Sequence, residues 1–457
     1  MRRLSELKIL QYALFGAASA LLLTIPNTTA SFYLTNELAV DPTFVATIFV
    51  VLVTLELAFR LFSGVIIQNT EMAWGKYRSW IVVLRWIIFA GSILMFIRTT
   101  ALPYYVRIAI FALAYLALTA SITFTQTAHF MLIVKMAGVE IMDRYRLSVR
   151  NMQLIAFVPL LSSYVLAPLA NGIAMSRPST QPEMVQNILH SLAFLLGAFV
   201  LTRVSRPYDL SAADERTGDA KQRVSEIFRS VFTNRSLLSL LTANLLLYVA
   251  IAISGGALTL YFLAVSGDMT LLPIAITASL LSGIAASLAM PYLGIALTKK
   301  KAMITGLIIY AVLSVAMILF ARESAILFIV LVCLKTAVLF LFQGFQALYL
   351  IDSGEYELWK TGNDNRAVAV SLIDFPIKIG LALGALITAK FIDFFGLPLT
   401  PEIHSDLAGS FLVFYGAIPA VCTFIAALVM HFGYNISEED AEKYIKENAR
   451  RSVPYTQ

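Results

Sequence analysis

Tyr349 to Gly380 reads YLIDSGEYELWKTGNDNRAVAVSLIDFPIKIG. An apolar helix is expected to end near Ile351. A polar loop with Asp352, Glu355, Tyr356, Trp359, Lys360 and Gly362 follows, and a second apolar helix opens near Asn365. That helix carries Asp374, Pro376 and Lys378 into its middle. Lys378 comes about 13 residues after the helix start, roughly 20 Å at 1.5 Å per residue, in a hydrocarbon core roughly 30 Å thick. A charge at that depth costs at least ~2.5–3.5 kcal/mol. Snorkelling would relieve the cost, but the lysine stem is too short from a mid-helix position. Lys378 is therefore expected to face a polar cavity.

The rest of the chain fits a polytopic membrane protein. Of 457 residues, 59% are apolar and 14% charged, where soluble domains carry about 25% charged residues. The apolar runs are about 20–30 residues long, the signature of spanning helices and not of the ~10-residue alternating strands of a barrel. The net charge of +6 implies no nucleic-acid partner, because membrane topology accounts for where the charges fall. Cys333 and Cys422 lie in apolar runs and suggest no disulfide framework. MRRLSELK leads directly into a long apolar run and reads as an uncleaved first span. No nucleotide-binding loop, HExxH, GxSxG or paired metal-ligand motif occurs, so neither ATP-driven transport nor an intramembrane enzyme is expected, and no cofactor or metal.

Twelve spans are read at roughly 9–34, 41–67, 80–98, 104–134, 148–175, 185–204, 237–266, 270–297, 302–321, 324–351, 365–392 and 407–433. Of the 34 basic residues, 25 lie in one set of loops and termini and 5 at the margins of the other. By the positive-inside rule both termini are cytoplasmic, in an inner or plasma membrane. The polar stretch 205–236 divides the spans six and six. The expected organisation is a bundle over 1–204, a linker with a short amphipathic helix over Val224–Phe232, a bundle over 237–433, and a cytoplasmic tail over 434–457. Two repeats around a central path are a transporter arrangement. The halves echo each other: Gly64, Gln68 and WGKYR (Trp74, Gly75, Lys76, Tyr77, Arg78) close span two, and Gly294, Thr298 and Lys299–Lys301 close span eight.

Several stretches together resemble the glycoside–pentoside–hexuronide:cation symporters, a branch of the major facilitator superfamily. They are the acidic loop ending in Gly354-Glu355-Tyr356, the basic residue and Thr361-Gly362 after it, and Ser371 seven residues before Lys378, with Gly380 following. The WGK segment at Trp74 is similar to that branch as well. The resemblance implies an all-α major facilitator fold of twelve helices in two six-helix bundles. It also implies a monomer working in the lipid bilayer by alternating access on a small-molecule sugar or glycoside. Gly64, Gln68, Trp74, Gly75, Lys76, Glu355 and Tyr356 fall at the family's loop and gating positions. Gln126 stands where the family binds sugar through an aspartate, Arg150 near a sugar-contacting arginine, and Phe340 at an aromatic wall.

The polar residues inside the spans fill out this site. Pro26 and Asn27 sit in a polar cluster expected to break span one. Glu56 and Arg60, four residues apart, have the favourable order for pairing. The family's sodium site uses two aspartates in this helix, and Arg60 replaces the second. A guanidinium supplies no oxygen ligand, so proton coupling is expected over sodium coupling, with uniport as the alternative. Span four carries Thr119, Ser121, Thr123, Thr125, Gln126, Thr127 and His129, and part of it is expected to face water or substrate. His129 is either a proton carrier or a structural histidine. Lys335 lies about twelve residues into span ten, with Gln343, Gln346 and Tyr349 beyond it on one face. The buried cations Arg60, Arg85, Lys335 and Lys378 outnumber the buried acids Glu56 and Asp374, which favours a sugar acid or another organic anion. A lysolipid-like substrate and a non-transporting sensor remain alternatives.

Overall fold

The computed structural model describes residues 3–28, 30–70, 72–176, 181–209, 232–322, 324–395 and 405–452. The expected amphipathic helix at Val224–Phe232 lies almost wholly outside the described residues. The described residues form helices joined by turns. Among the described residues, eleven helices are long and apolar enough to cross a membrane, and Ala325–Phe340 is a shorter apolar one.

Packing groups the chain into two compact units. The first comprises Met1–Ile227, Glu357–Ser371 and Ile445–Gln457; the second comprises Phe228–Tyr356 and Leu372–Tyr444. Unit one holds α1 (Glu6–Thr28), α2 (Pro42–Asn69), α3 (Arg78–Met95), α4 (Tyr104–Ala137), α5 (Ile141–Met175) and α6 (Pro182–Val204). Unit two holds α7 (Arg235–Leu260), α8 (Leu271–Ala296), α9 (Lys299–Phe320) and α10 (Ala325–Gln343). After these come α11 (Gln346–Thr361), α12 (Arg366–Ser371), α13 (Asp374–Phe395), α14 (Ser405–Gly433) and α15 (Glu438–Ser452). Helix starts follow local chemistry. The Asp41 carboxylate accepts the Thr43 and Phe44 N–H groups at 2.9 and 3.2 Å ahead of Pro42, and Asn234 accepts Leu237 N–H at 3.1 Å. In unit one α1 packs on α5 and α6, and α4 packs on α2 and α3. In unit two α7 packs on α13 and α14, and α8 on α10. Stacked rings hold the unit-two core: Tyr261 on Phe328 at 3.7 Å and Phe391 on Phe414 at 3.8 Å.

Each unit repeats two tethers on its third long helix. α1 is followed by a π-helical turn at Tyr33–Glu37, and α7 runs into one at Tyr261–Val265. The first residue of each turn is a buried tyrosine. Tyr33 donates to the Ile97 carbonyl at 2.9 Å, just beyond α3, and Tyr261 donates to the Ala321 carbonyl at 2.8 Å, just beyond α9. The opposite ends of α3 and α9 are tied as well. Asp209, five residues past α6, accepts the Arg78 N–H at 2.6 Å; Glu438, five past α14, accepts the Lys299 N–H at 2.7 Å. A carboxylate on a helix N-terminus satisfies orphan donors and complements the dipole. Arg78 also donates to the Thr202 carbonyl and Lys300 to the His431 carbonyl, each two residues before its helix ends.

The boundaries in the stretch 349–380 differ from expectation. The segment read as a polar loop is helical to Thr361, because its carboxylates face protein. Asp352 pairs with Lys299, and Glu355 and Glu357 are 1% and 6% exposed. The turn falls earlier, at Gly344-Phe345, so span ten is two helices. Span eleven is also interrupted, at Leu372-Ile373. Pro376 has no N–H to give the Leu372 carbonyl, which instead accepts from Phe375 at 3.1 Å. Lys378 therefore lies in the second turn of α13, not deep in one continuous helix. The expected break at Pro26 is absent, since α1 continues through Thr28.

Candidate functional site

In unit one the polar centre forms where α2 meets α4. Arg60 and Glu56 sit on one face of α2 and pair at 3.0 Å, with side chains 4% and 1% exposed. Arg60 Nη1 also lies 3.5 Å from Gln126 Oε1 on α4. An i,i+4 pair in this order is self-supporting, and in a low dielectric each charge needs the other. Breaking the pair would leave a buried charge without its partner.

The other polar residues of α4 are used locally. Thr119, Thr123 and Thr127 donate to carbonyls one turn back at 2.9, 2.9 and 3.0 Å and are buried. The expectation that these hydroxyls face water is therefore corrected. His129 stacks on Tyr12 at 4.2 Å and meets Phe15 edge-on at 4.9 Å. Its Nε2 is 3.2 Å from the Tyr12 carbonyl, and Tyr12 donates to the His129 carbonyl at 3.0 Å. These contacts belong to the α1–α4 seam. Arg150 donates to Gln153 at 2.9 Å and approaches Glu6 at 3.7 Å, within a surface cluster that also holds Asp143 and Arg146. It is not brought to Gln126. The Asn27 side chain lies outside the described residues.

The loop-motif residues do structural tasks in unit one. Gly64 lets α2 lie against α12: a β-carbon there would stand 2.6 Å from Val368 Cα and from Ser371 Oγ. Gln68 is half-buried and Trp74 is exposed. Gly75 adopts φ +107° beside Asp209, a backbone that favours glycine. Lys76 acts on Asp364, which Arg366 holds bidentately at 2.8 and 2.7 Å. Burial works to raise the Asp364 pKa, but Arg366 and Lys76 outweigh it and hold the carboxyl below its ordinary value.

Unit two has a second polar locus beside the α10–α11 turn. Asn244, Leu247, Tyr248, Met303, Gln343, Gln346 and Tyr349 line a tight recess. Gln343 donates to the Tyr248 hydroxyl at 3.2 Å, and Asp374 is in electrostatic range of that hydroxyl. Its lining holds amides and phenols and no ionised group. The space between these side chains is too narrow to admit even a water molecule. Three of the lining residues, Gln343, Gln346 and Tyr349, form the stripe read from sequence; Asn244 and Tyr248 on α7 were missed. An amide and a phenol one helical turn apart were the available signal.

Lys335, also in unit two, is 3% exposed. Its ammonium donates to Ser254 at 2.9 Å, lies 4.6 Å from the Tyr310 ring centroid and 3.6 Å from the Met317 sulfur. That box leaves it no opening to a solute. Phe340 packs on α8 at Gly283, where a β-carbon would lie 2.8 Å from the ring. Lys378 is half-buried on α13, which approaches α7 through Gly380 and Gly384. Glu355 is buried on α11, and Tyr356 meets Tyr444 at 5.5 Å.

Comparison with known proteins agrees with this architecture. The family model described as MFS/sugar transport protein matches residues 11–438. The inner membrane symporter YicJ of Escherichia coli K12 is 21% identical over 448 residues, covering 96% of this chain and 94% of its own. Among solved structures, a bacterial homologue of the iron transporter ferroportin, outward-facing, superposes with a TM-score of 0.64 at 13% identity, covering 93% of this chain and 98% of that one. A point variant of the E. coli fucose:proton symporter FucP gives 0.62 at 15% identity, with coverage of 94% and 98%. At such identities the structures speak for the major facilitator fold alone. The family model spans nearly the whole chain, and this integral membrane protein belongs to the MFS/sugar transport protein family.

Proposed function

We propose that the chain is a secondary active symporter that moves a neutral sugar or glycoside by alternating access, coupled to protons and not to sodium. The Glu56–Arg60 pair carries the coupling part of this reading. Sodium needs several oxygen ligands; Arg60 occupies one side of Glu56 with a guanidinium at 3.0 Å. A cation ~5 Å from that guanidinium would be repelled by roughly 3 kcal/mol at an effective dielectric near 20. Glu56 can take a proton when the pair separates and release it when the pair re-forms. YicJ is named a symporter and FucP a fucose:proton symporter, which supports both halves of the proposal.

A neutral substrate is proposed in place of the anionic one expected from the buried cations, because three of those four lie against other side chains of the protein. Arg60 pairs with Glu56, Arg85 lies on Phe199 and Lys335 sits in its hydroxyl–aromatic box. Gln126 in unit one, and Gln343 and Tyr248 in unit two, both donate to and accept from hydroxyls. Asp374 and Lys378 complete the substrate-facing set in this proposal. The protein works as a monomer of two six-helix bundles, 1–204 and 237–433, with both termini cytoplasmic. The test is competition for uptake in proteoliposomes by matched pairs of glycosides and their uronates. The neutral member should compete in each pair; competition by the uronates alone would reject the reading.

A further inference from the structure

Arg85 is a cation that the transport reading does not use. It lies seven residues into α3, roughly 10 Å along the helix from Arg78. Its guanidinium carbon is 3.8 Å from the Phe199 ring centroid on α6 and 5.4 Å from that of Trp86. Nη1 reaches Thr202 Oγ1 at 3.5 Å, a weak contact, and Nε is buried with no hydrogen-bond partner. No carboxylate among the described residues pairs with Arg85. The flanking rings are open: Trp86 is 52% and Phe199 44% exposed, on helices that cross the membrane. This is a guanidinium with donor capacity left over, held on the lipid-facing surface of unit one.

Further basic side chains lie at the adjoining ends of α3 and α6, where Arg78 reaches the Thr202 carbonyl. Arg203 and Arg206 are exposed at the end of α6, and Arg78 lies at the start of α3. The nearby acid, Asp209, is buried and already accepts the Tyr77 and Arg78 N–H groups at 2.8 and 2.6 Å. Cation–π contact with Phe199 offsets part of the cost of the charge, but the fork of N–H donors calls for an oxyanion. The lipid-facing rings allow that anion to arrive with acyl chains attached. We propose that the α3–α6 face of unit one is a binding site for an anionic phospholipid. The phosphate sits on Arg85, the acyl chains lie along Trp86 and Phe199, and Arg78, Arg203 and Arg206 select a net negative headgroup over a zwitterionic one. Basic clusters beside spanning helices recognise anionic headgroups through the same electrostatics.

The experiment is native mass spectrometry of the purified full chain with equimolar phosphatidylglycerol and phosphatidylcholine. The wild type should retain one phosphatidylglycerol about tenfold over phosphatidylcholine, equivalent to roughly 1.4 kcal/mol. Arg85→Gln should lose that preference. Arg98→Gln, at the other end of α3, should keep it. Equal retention of the two lipids by the wild type overturns the proposal without any variant. So does an undiminished preference in Arg85→Gln. Displacement of the lipid by millimolar inorganic phosphate would mark a site for the free ion and overturn it as well.

Discussion

Gly64→Ala isolates the contact between α2 and α12. The added β-carbon would stand 2.6 Å from Val368 Cα and 2.8 Å from the Ala367 carbonyl oxygen. Carbon atoms at rest sit about 3.5–4.0 Å apart, so the two backbones must part by roughly 1 Å. Val368 and Ala367 present backbone atoms, and no side-chain rotation relieves the overlap. Overpacking of this kind costs about 1–3 kcal/mol, and the better helix propensity of alanine returns up to about 1 kcal/mol. Gly255→Ala is the matched control, because a β-carbon there meets nothing within 4 Å. The same propensity gain applies to it with no overlap. At about 2–4 °C per kcal/mol for a unit of 150–250 residues, Gly64→Ala should unfold several degrees below Gly255→Ala in a detergent thermal-shift assay. Equal midpoints, or a higher one for Gly64→Ala, would refute the packing argument.

Two further expectations concern unit tethers and pH. Tyr33→Phe and Tyr261→Phe each remove a hydroxyl that donates to a carbonyl beyond the third helix of its unit. Each should cost about 1–3 kcal/mol, since a buried acceptor is left unsatisfied; a midpoint unchanged in both variants would contradict the paired role. Asp364 has a depressed folded-state pKa. Its contribution to stability is therefore full above the unfolded carboxylate pKa of about 3.9 and is lost as pH falls below it. Thermal shifts taken downward from pH 6 should show the wild type converging on Asp364→Asn below about pH 4, and a constant gap between them would contradict that sign.

The membrane class, the family stretch and the Glu56–Arg60 pair were legible because each rests on composition or short spacing. The Gln343–Gln346–Tyr349 stripe was readable for the same reason, and the structure puts all three on one recess. Charge misled where burial was long-range. Asp352, Glu355 and Glu357 read as a loop, but Lys299 and the surrounding protein receive them in a helix. The threonines of α4 read as a wet face, but their hydroxyls turn back on their own helix. Arg150 read as a substrate contact because the sequence does not reveal that Glu6 returns to its side. Pro376 marked the break in span eleven, and the missing N–H would have located it four residues earlier. The Asp209 and Glu438 caps join segments more than 130 residues apart, and no local pattern announces them.

The central claim is proton coupling through Glu56, and proteoliposome uptake under separately imposed gradients measures it most directly. An inwardly directed proton gradient should drive accumulation of the sugar in the wild type, and Glu56→Gln should lose that drive. Accumulation driven by a sodium gradient at constant pH, with the membrane potential clamped, would contradict the account.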